Sequence, residues 1–187
     1  MRVVAGSAGG LELRVPKTDL RPTMDRVRGA IFSSLGEFIA GASVLDLFAG
    51  TGGLGIEALS RGAASAVFVE NDRRAIAAIE KNLAHTRLTG AIHALDIFRY
   101  LDRLAAPASF DAIFADPPYA KAPGERDFAP ELLRSESLRR ALKPGGLFIL
   151  EHLPGDSLLV GEDWKLLRDK RYGATAVALL QVRLFEV

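Results

Sequence analysis

Residues 44–55, Val-Leu-Asp-Leu-Phe-Ala-Gly-Thr-Gly-Gly-Leu-Gly, decide how the rest of the chain is read. An apolar run short enough for a buried strand gives way to glycines, and the helical pattern LGIEALSR (54–61) follows. Gly50, Gly52 and Gly55 make a G-x-G-x-x-G turn, which in dinucleotide enzymes brings a pyrophosphate onto a helix N-terminus. Asp46 argues against phosphate. It lies inside the strand, four residues before Gly50, where a buried carboxylate is costly unless donors satisfy it. A ligand with an α-ammonium group and no phosphate suits that position, so S-adenosyl-L-methionine is the expected cofactor.

Outward from this loop, strand and helix patterns alternate. AVFVE (66–70) reads as a strand, and Asp72 as the cap of a helix carrying Ile76, Ile79 and Leu83 on one face. AIHAL (91–95) and FDAIFA (110–115) read as strands with the helical IFRYLDRLA (97–105) between them. One helix is expected through PELLRSESLRRALK (130–143), ended by Pro144-Gly145-Gly146 and followed by LFILE (147–151). Upstream, Thr23 is the expected N-cap of a helix from Met24 to about Phe38, with Val27, Ile31, Leu35 and Phe38 as its apolar stripe.

Such alternation implies a parallel sheet with helices on both faces. The tail differs, because WKLLRDKRYG and ATAVALLQVRLFEV leave no room for a crossover helix and read as an antiparallel pair. The expected fold is therefore α/β: a Rossmann-like class I methyltransferase with a mostly parallel seven-stranded sheet and a C-terminal antiparallel hairpin. Residues 1–18 are expected as a small N-terminal β-hairpin extension, from RVVA and LELRV joined by GSAGG, and residues 19–187 as the cofactor-dependent domain.

The acids at strand ends extend the cofactor reading. Glu70 ends the second strand, where a carboxylate can accept both ribose hydroxyls. Asp96 follows the third, where it could reach the exocyclic amine of adenine. Either acid alone reads more readily as a helix cap or a solvated strand end, and it is their place at the ends of successive strands that favours the cofactor.

The fourth strand runs into Phe114-Ala115-Asp116-Pro117-Pro118-Tyr119. Two prolines fix two φ angles and remove two backbone donors. A planar exocyclic amine has a delocalised lone pair, and acceptors aimed at its N–H bonds localise it. The Asp116 carboxylate and the Pro117 carbonyl, held by Pro118, are suited to this as preorganised acceptors. Tyr119 is placed to stack on a base.

Composition sets wide bounds. The 187 residues are 49% apolar and 25% charged, with 24 basic and 23 acidic side chains and no cysteine. Disulfides and thiolate chemistry are excluded, and no apolar run suggests a membrane span. His85, His93 and His152 do not cluster, so no metal is expected. A cytoplasmic monomer is expected. Two stretches are locally basic: residues 1–30, and the tail, where Lys165, Arg168, Lys170 and Arg171 oppose only Asp169. Either is a phosphate-contacting face or ordinary solvated surface.

With LRPTMDRVRGAIF (20–32), VLDLFAGTGGLGIEALSRGA (44–63), FVEND (68–72) and FDAIFADPPY (110–119), the chain resembles the bacterial 16S rRNA (guanine-N2)-methyltransferases over nearly its whole length. The resemblance implies methyl transfer to a guanine N2 amine of 16S rRNA, in a 30S particle or its assembly intermediate. By the same resemblance Gly50, Gly52, Glu70 and Asp96 bind S-adenosylmethionine, and Asp116, Pro117, Pro118 and Tyr119 hold the base. Thr23 and the first turn of its helix suit the cofactor carboxylate, and Arg21, Arg26 and Arg28 suit either that carboxylate or RNA phosphates. One departure stands out: Leu11 in AGSAGGLEL (5–13) occupies a position where the family carries arginine. Adenine-N6 methylation of RNA or DNA is the alternative. A nicotinamide oxidoreductase fits poorly with Asp46, the proline pair and the terminal hairpin, and a non-catalytic RNA-binding protein would transfer no methyl group.

Overall fold

The computed structural model describes residues 1–15, 22–120, 124–154, 158 and 160–183, with the side chains of 22–24 excepted. Its helices are α1 (Pro22–Leu35), α2 (Gly53–Ser60), α3 (Arg73–Thr86), α4 (Ile97–Arg103), α5 (Phe128–Arg134) and α6 (Glu136–Ala141). Its strands are β1 (Ser43–Leu47), β2 (Ser65–Glu70), β3 (Ala91–Ala94), β4 (Phe110–Ala115), β5 (Leu142–His152), β6 (Trp164–Tyr172) and β7 (Thr175–Val182). They form one seven-stranded sheet in the order β3-β2-β1-β4-β5-β7-β6. The first five pair in parallel, and β7 lies antiparallel to both β5 and β6. The expected class I methyltransferase architecture is the one observed.

Alternate residues of each strand feed two cores, as the pleat requires. Val44, Phe68, Phe114 and Ile149 pack toward α1, α2 and α3. Leu45, Leu47, Val69, Ile113, Phe148 and Leu150 pack toward α4, α5 and α6. Strands covered on both faces explain why these segments are apolar on both sides of the pleat, with Asp46 the exception in β1. Trp164, 1% exposed, ties the terminal hairpin to α5 by donating from Nε1 to the Leu133 carbonyl at 2.7 Å.

Four local expectations change. α1 ends at Leu35, and a 3-10 turn (Gly36–Ile39) with Gly36 at φ +52° rotates the chain so that Ile39 is buried while Phe38 is exposed. Thr23 therefore lies in the first turn of α1, one residue inside its start. The single helix expected over 130–143 is two, because Ser135 is extended and its side chain caps α6 by accepting from the Leu138 amide at 3.2 Å. β5 begins at Leu142, ahead of Pro144-Gly145-Gly146, with a register shift opposite Phe110 and Ala112.

The N-terminal segment pairs through one bridge, Arg2 with Glu12, instead of two full strands. It is clamped onto α2: Val4 and Ala5 donate to the Glu57 carboxylate at 2.7 and 3.1 Å, and Ala8 to Ser60 Oγ at 3.0 Å. Gly6 is obligatory there, since a Cβ would sit 1.8 Å from the Ser60 carbonyl oxygen. The boundary expected at residue 18 lies outside the described residues. Among the described residues, no helix is long and apolar enough to cross a membrane.

Candidate active site

β1 and β4 are neighbours, while β1 leads through α2 to β2 on its other side. The sheet therefore has its switch point between β1 and β4, where open α/β sheets bind ligands at the carboxyl edge. In register, Leu47 pairs with Ala115, and Ala115 with Leu150. Phe48, Asp116 and Glu151, each one residue further on, therefore emerge side by side.

The glycine loop is built around Phe68, which is fully buried. A Cβ on Gly55 would come within 2.3 Å of its ring, one on Gly90 within 2.6 Å and one on Gly52 within 3.4 Å. Gly52 also stands left-handed at φ +83° as the α2 N-cap. Gly50 is different. Its φ is +54°, and a Cβ would meet nothing closer than 3.9 Å, so only its backbone conformation asks for glycine.

Asp46, 2% exposed, accepts from the Gly55 amide at 2.8 Å. Burial pushes its carboxyl up to about 8 against that hydrogen bond, and the charges of Asp116 and Glu70 add to the rise. Glu70 bridges two turns: one oxygen accepts from Gly50 at 2.8 Å, the other from Asn71 and Asp72 at 2.8 and 2.9 Å. Carboxylate oxygens each accept more than one bond, so these contacts leave capacity. Asp96 caps α4 through Oδ1, accepting from Phe98 and Arg99 at 3.0 and 3.1 Å.

A cavity of about 100 Å³ is framed by Asp46, Asp116, Glu151, Gly50, Gly53 and Arg28. Arg28 is 4% exposed, which removes it from any basic outer face and from contact with an RNA phosphate. Its guanidinium bonds Asp25 at 2.8 Å and the Arg2 carbonyl, and pairs with the buried Glu57 at 3.5 Å. A Cβ on Gly53 would lie 3.4 Å from Arg28 Nη1 and 3.2 Å from the Met1 sulfur, so the glycine keeps the floor open. Arg26 is exposed on α1; Arg21 lies outside the described residues, as does the Thr23 side chain. Three acids facing one guanidinium match a zwitterion that carries an extra positive charge. The donor set fits S-adenosylmethionine.

A larger cavity of about 340 Å³ adjoins it, lined by Pro117, Pro118, Tyr119, Glu151, His152 and α5. Glu151 borders both cavities. Tyr119 Oη donates to Glu151 at 3.2 Å and lies 2.7 Å from Thr175 Oγ1. Burial, then the Glu151 charge, raises the phenol above its ordinary value, so it stays a donor. Burial likewise raises Glu151. Sequence reasoning missed Glu151 and Thr175, since Glu151 looked like an ordinary strand end. It also missed Phe48, whose positive φ of +56° is costly for an aromatic residue and which meets Phe128 edge-on at 4.9 Å. Among the described residues, no group of three or more His, Asp or Glu is arranged to hold a metal.

The family model "Conserved hypothetical protein 95" matches residues 1–181. The ribosomal RNA small subunit methyltransferase D of Escherichia coli K12 is 34% identical over 184 residues, covering 97% of this chain and 89% of that one. The solved structure of the E. coli protein yhhF superposes with a TM-score of 0.79 at 30% identity, over 99% of both chains. The T. thermophilus 16S rRNA N2 G1207 methyltransferase, solved with AdoMet and guanosine, gives 0.70 at 25% identity over 89% of this chain and 44% of that one. With a switch-point pocket suited to the cofactor and similarity along its whole length, the chain belongs to the Conserved hypothetical protein 95 family of 16S rRNA methyltransferases and is an S-adenosylmethionine-dependent methyltransferase.

Proposed function

We propose that the protein methylates the exocyclic N2 amine of a guanine in 16S rRNA, acting as a monomer on the 30S particle or its assembly intermediate. The observation that carries this reading is the position of Asp116. It leaves the sheet at the switch point, borders the acid-lined cavity and opens the loop that walls the larger one.

In the smaller cavity, Asp46, Gly50 and Gly52 hold the amino acid end of the cofactor, with Arg28 and the first turn of α1, including Thr23, toward its carboxylate. Glu70 takes the ribose hydroxyls and Asp96 the adenine amine. S-adenosylmethionine supplies, when bound, an electrophilic methyl group on a sulfonium. The Asp116 carboxylate accepts from the guanine edge, where N1–H and N2–H point the same way, and the Pro117 carbonyl accepts the second N2 proton. These two acceptors localise the nitrogen lone pair and aim it. Pro118 stiffens the loop, and Tyr119, its hydroxyl fixed by Glu151 and Thr175, presents its ring to the base. Most of the acceleration then comes from positioning. The amine proton leaves after transfer, so no strong base is required.

Labelled S-adenosylmethionine and 30S particles lacking the modification test this directly. Nucleoside analysis is expected to give N2-methylguanosine. N6-methyladenosine would move the substrate to adenine, and no transfer to any RNA would overturn the reading.

A further inference from the structure

β6 is an edge strand, and each of its residues from 165 to 171 is exposed. Within those seven stand Lys165, Arg168, Lys170 and Arg171, with Asp169 as the only acid. The carboxylate of Asp169 lies 3.0 Å from His152 Nε2, directed inward to β5. Edge strands use a lysine to discourage pairing with other chains, but four cations on one strand exceed that need. Leu166 and Leu167, each 42% exposed, interrupt the charges without covering them.

The strand also ends in a telling place. Tyr172 pairs with Thr175, the residue whose hydroxyl lies 2.7 Å from Tyr119 Oη. Arg171 pairs with Ala176, which pairs in turn with His152 on the wall of the larger cavity. Lys170 Nζ sits 5.3 Å from the centre of the Tyr172 ring. Toward the other end, Arg168 Nη1 donates to Ser34 of α1 at 3.2 Å, so β6 flanks the helix that exposes Arg26. From Arg168 to Tyr172 the strand covers roughly 13 Å at strand rise. By the pleat Arg168 and Lys170 stand on the face of α1 and Arg171 on the opposite face, so the strand carries cations on both sides of its edge up to the cavity that Tyr119 lines.

We propose that β6 is the docking strand for the RNA backbone flanking the target nucleotide, with Lys165, Arg168, Lys170 and Arg171 on its phosphates. The occupant follows from charge complementarity and from the strand's end beside the Asp-Pro-Pro-Tyr loop. The proposal rests on the RNA substrate assigned above and adds the surface that holds it.

The test replaces all four cations with glutamine and measures binding to 30S particles lacking the modification across a salt series. Each phosphate contact contributes about 0.7–0.9 to the slope of log K against log salt, so loss of four lowers its magnitude by roughly 3. Lys170→Gln alone is expected to lower it by about 0.7–0.9. Unchanged S-adenosylhomocysteine affinity and melting temperature show that the fold is intact. Lys81→Gln with Arg103→Gln, on α3 and α4, is the control and is expected to leave the slope as it was. If wild type methylates the particle and the β6 variants bind it with an unaltered slope, the strand is only a solvated edge and the proposal falls. If wild type neither binds nor methylates any RNA, the substrate reading falls with it.

Discussion

The two cavities at the carboxyl edge share Glu151 and are otherwise built by different rules. The smaller is assembled from local units. Asp46 bonds the amide of Gly55 nine residues on, and Glu70 the amide of Gly50 twenty residues back. Each contact lies within a strand-turn-helix segment or between adjacent parallel strands. The larger joins distant pieces: Tyr119 meets Glu151 at a separation of 32 residues and Thr175 at 56. The glycine-loop wall of the smaller cavity is thus set by one supersecondary unit and its neighbouring strand, while Arg28, Asp116 and Glu151 close it from α1, β4 and β5. The larger cavity draws on the loop after β4 and on β5 and β7, and its shape depends on how β5 and β7 pair.

That contrast can be broken at several points. Removing the acceptor at the junction is expected to have the largest effect: Asp116→Ala lowers single-turnover methyl transfer by about 10²–10³-fold, while the affinity for S-adenosylhomocysteine changes little. Near-normal turnover would refute the role given to this carboxylate. On the cofactor side the weak point is packing. Gly55→Ala drives a methyl against the Phe68 ring and is expected to cost about 1–3 kcal/mol of stability, read as a lower midpoint in urea. An unchanged midpoint would mean that the ring can move aside.

On the substrate side, Tyr119→Phe and Glu151→Ala each remove the hydrogen bond between these two side chains and are expected to lower kcat/KM about 10-fold. The double variant is expected to be no worse than the poorer single one, because both act through the same ring. Additive losses would mean that Glu151 contacts the substrate independently.

The last effect is a slope, spread over several pH units. Asp46 is raised from 3.8 to about 8 in the folded protein. Between those values the folded state keeps a proton that the unfolded chain has released, so its contribution to stability is full at low pH and fades as pH rises toward 8. Asp46→Asn is expected to remove that part of the decline in melting temperature for the ligand-free protein. An identical pH profile would mean that Asp46 is ionised throughout.

Much of the fold was legible because each helix or strand in the first half of the chain carries its own period and its own stop. Asp72 and Asp96 cap helices by local bonds, and Gly52 turns the chain by its own φ. Ser135 was not legible as a break, since the apolar spacing runs on across it. Arg28 suited a cofactor carboxylate or an RNA phosphate equally, and only the pairing of α1 with Glu57 of α2 buries it and decides between them. Gly55 was legible only as the third glycine of the turn, and it is the ring of Phe68 on the neighbouring strand that excludes a side chain there.

The sequence by itself determined the alternation of strands and helices, the antiparallel tail, the glycine turn and the acids at the strand ends. These rest on local periodicity and on backbone restrictions that act within a few residues. Only the tertiary structure decided that Glu151 and Thr175 hold Tyr119, that Arg28 faces a cavity, and that the cations of β6 end beside the Asp-Pro-Pro-Tyr loop. Those contacts depend on strand order and register, which bring together side chains that no local pattern links.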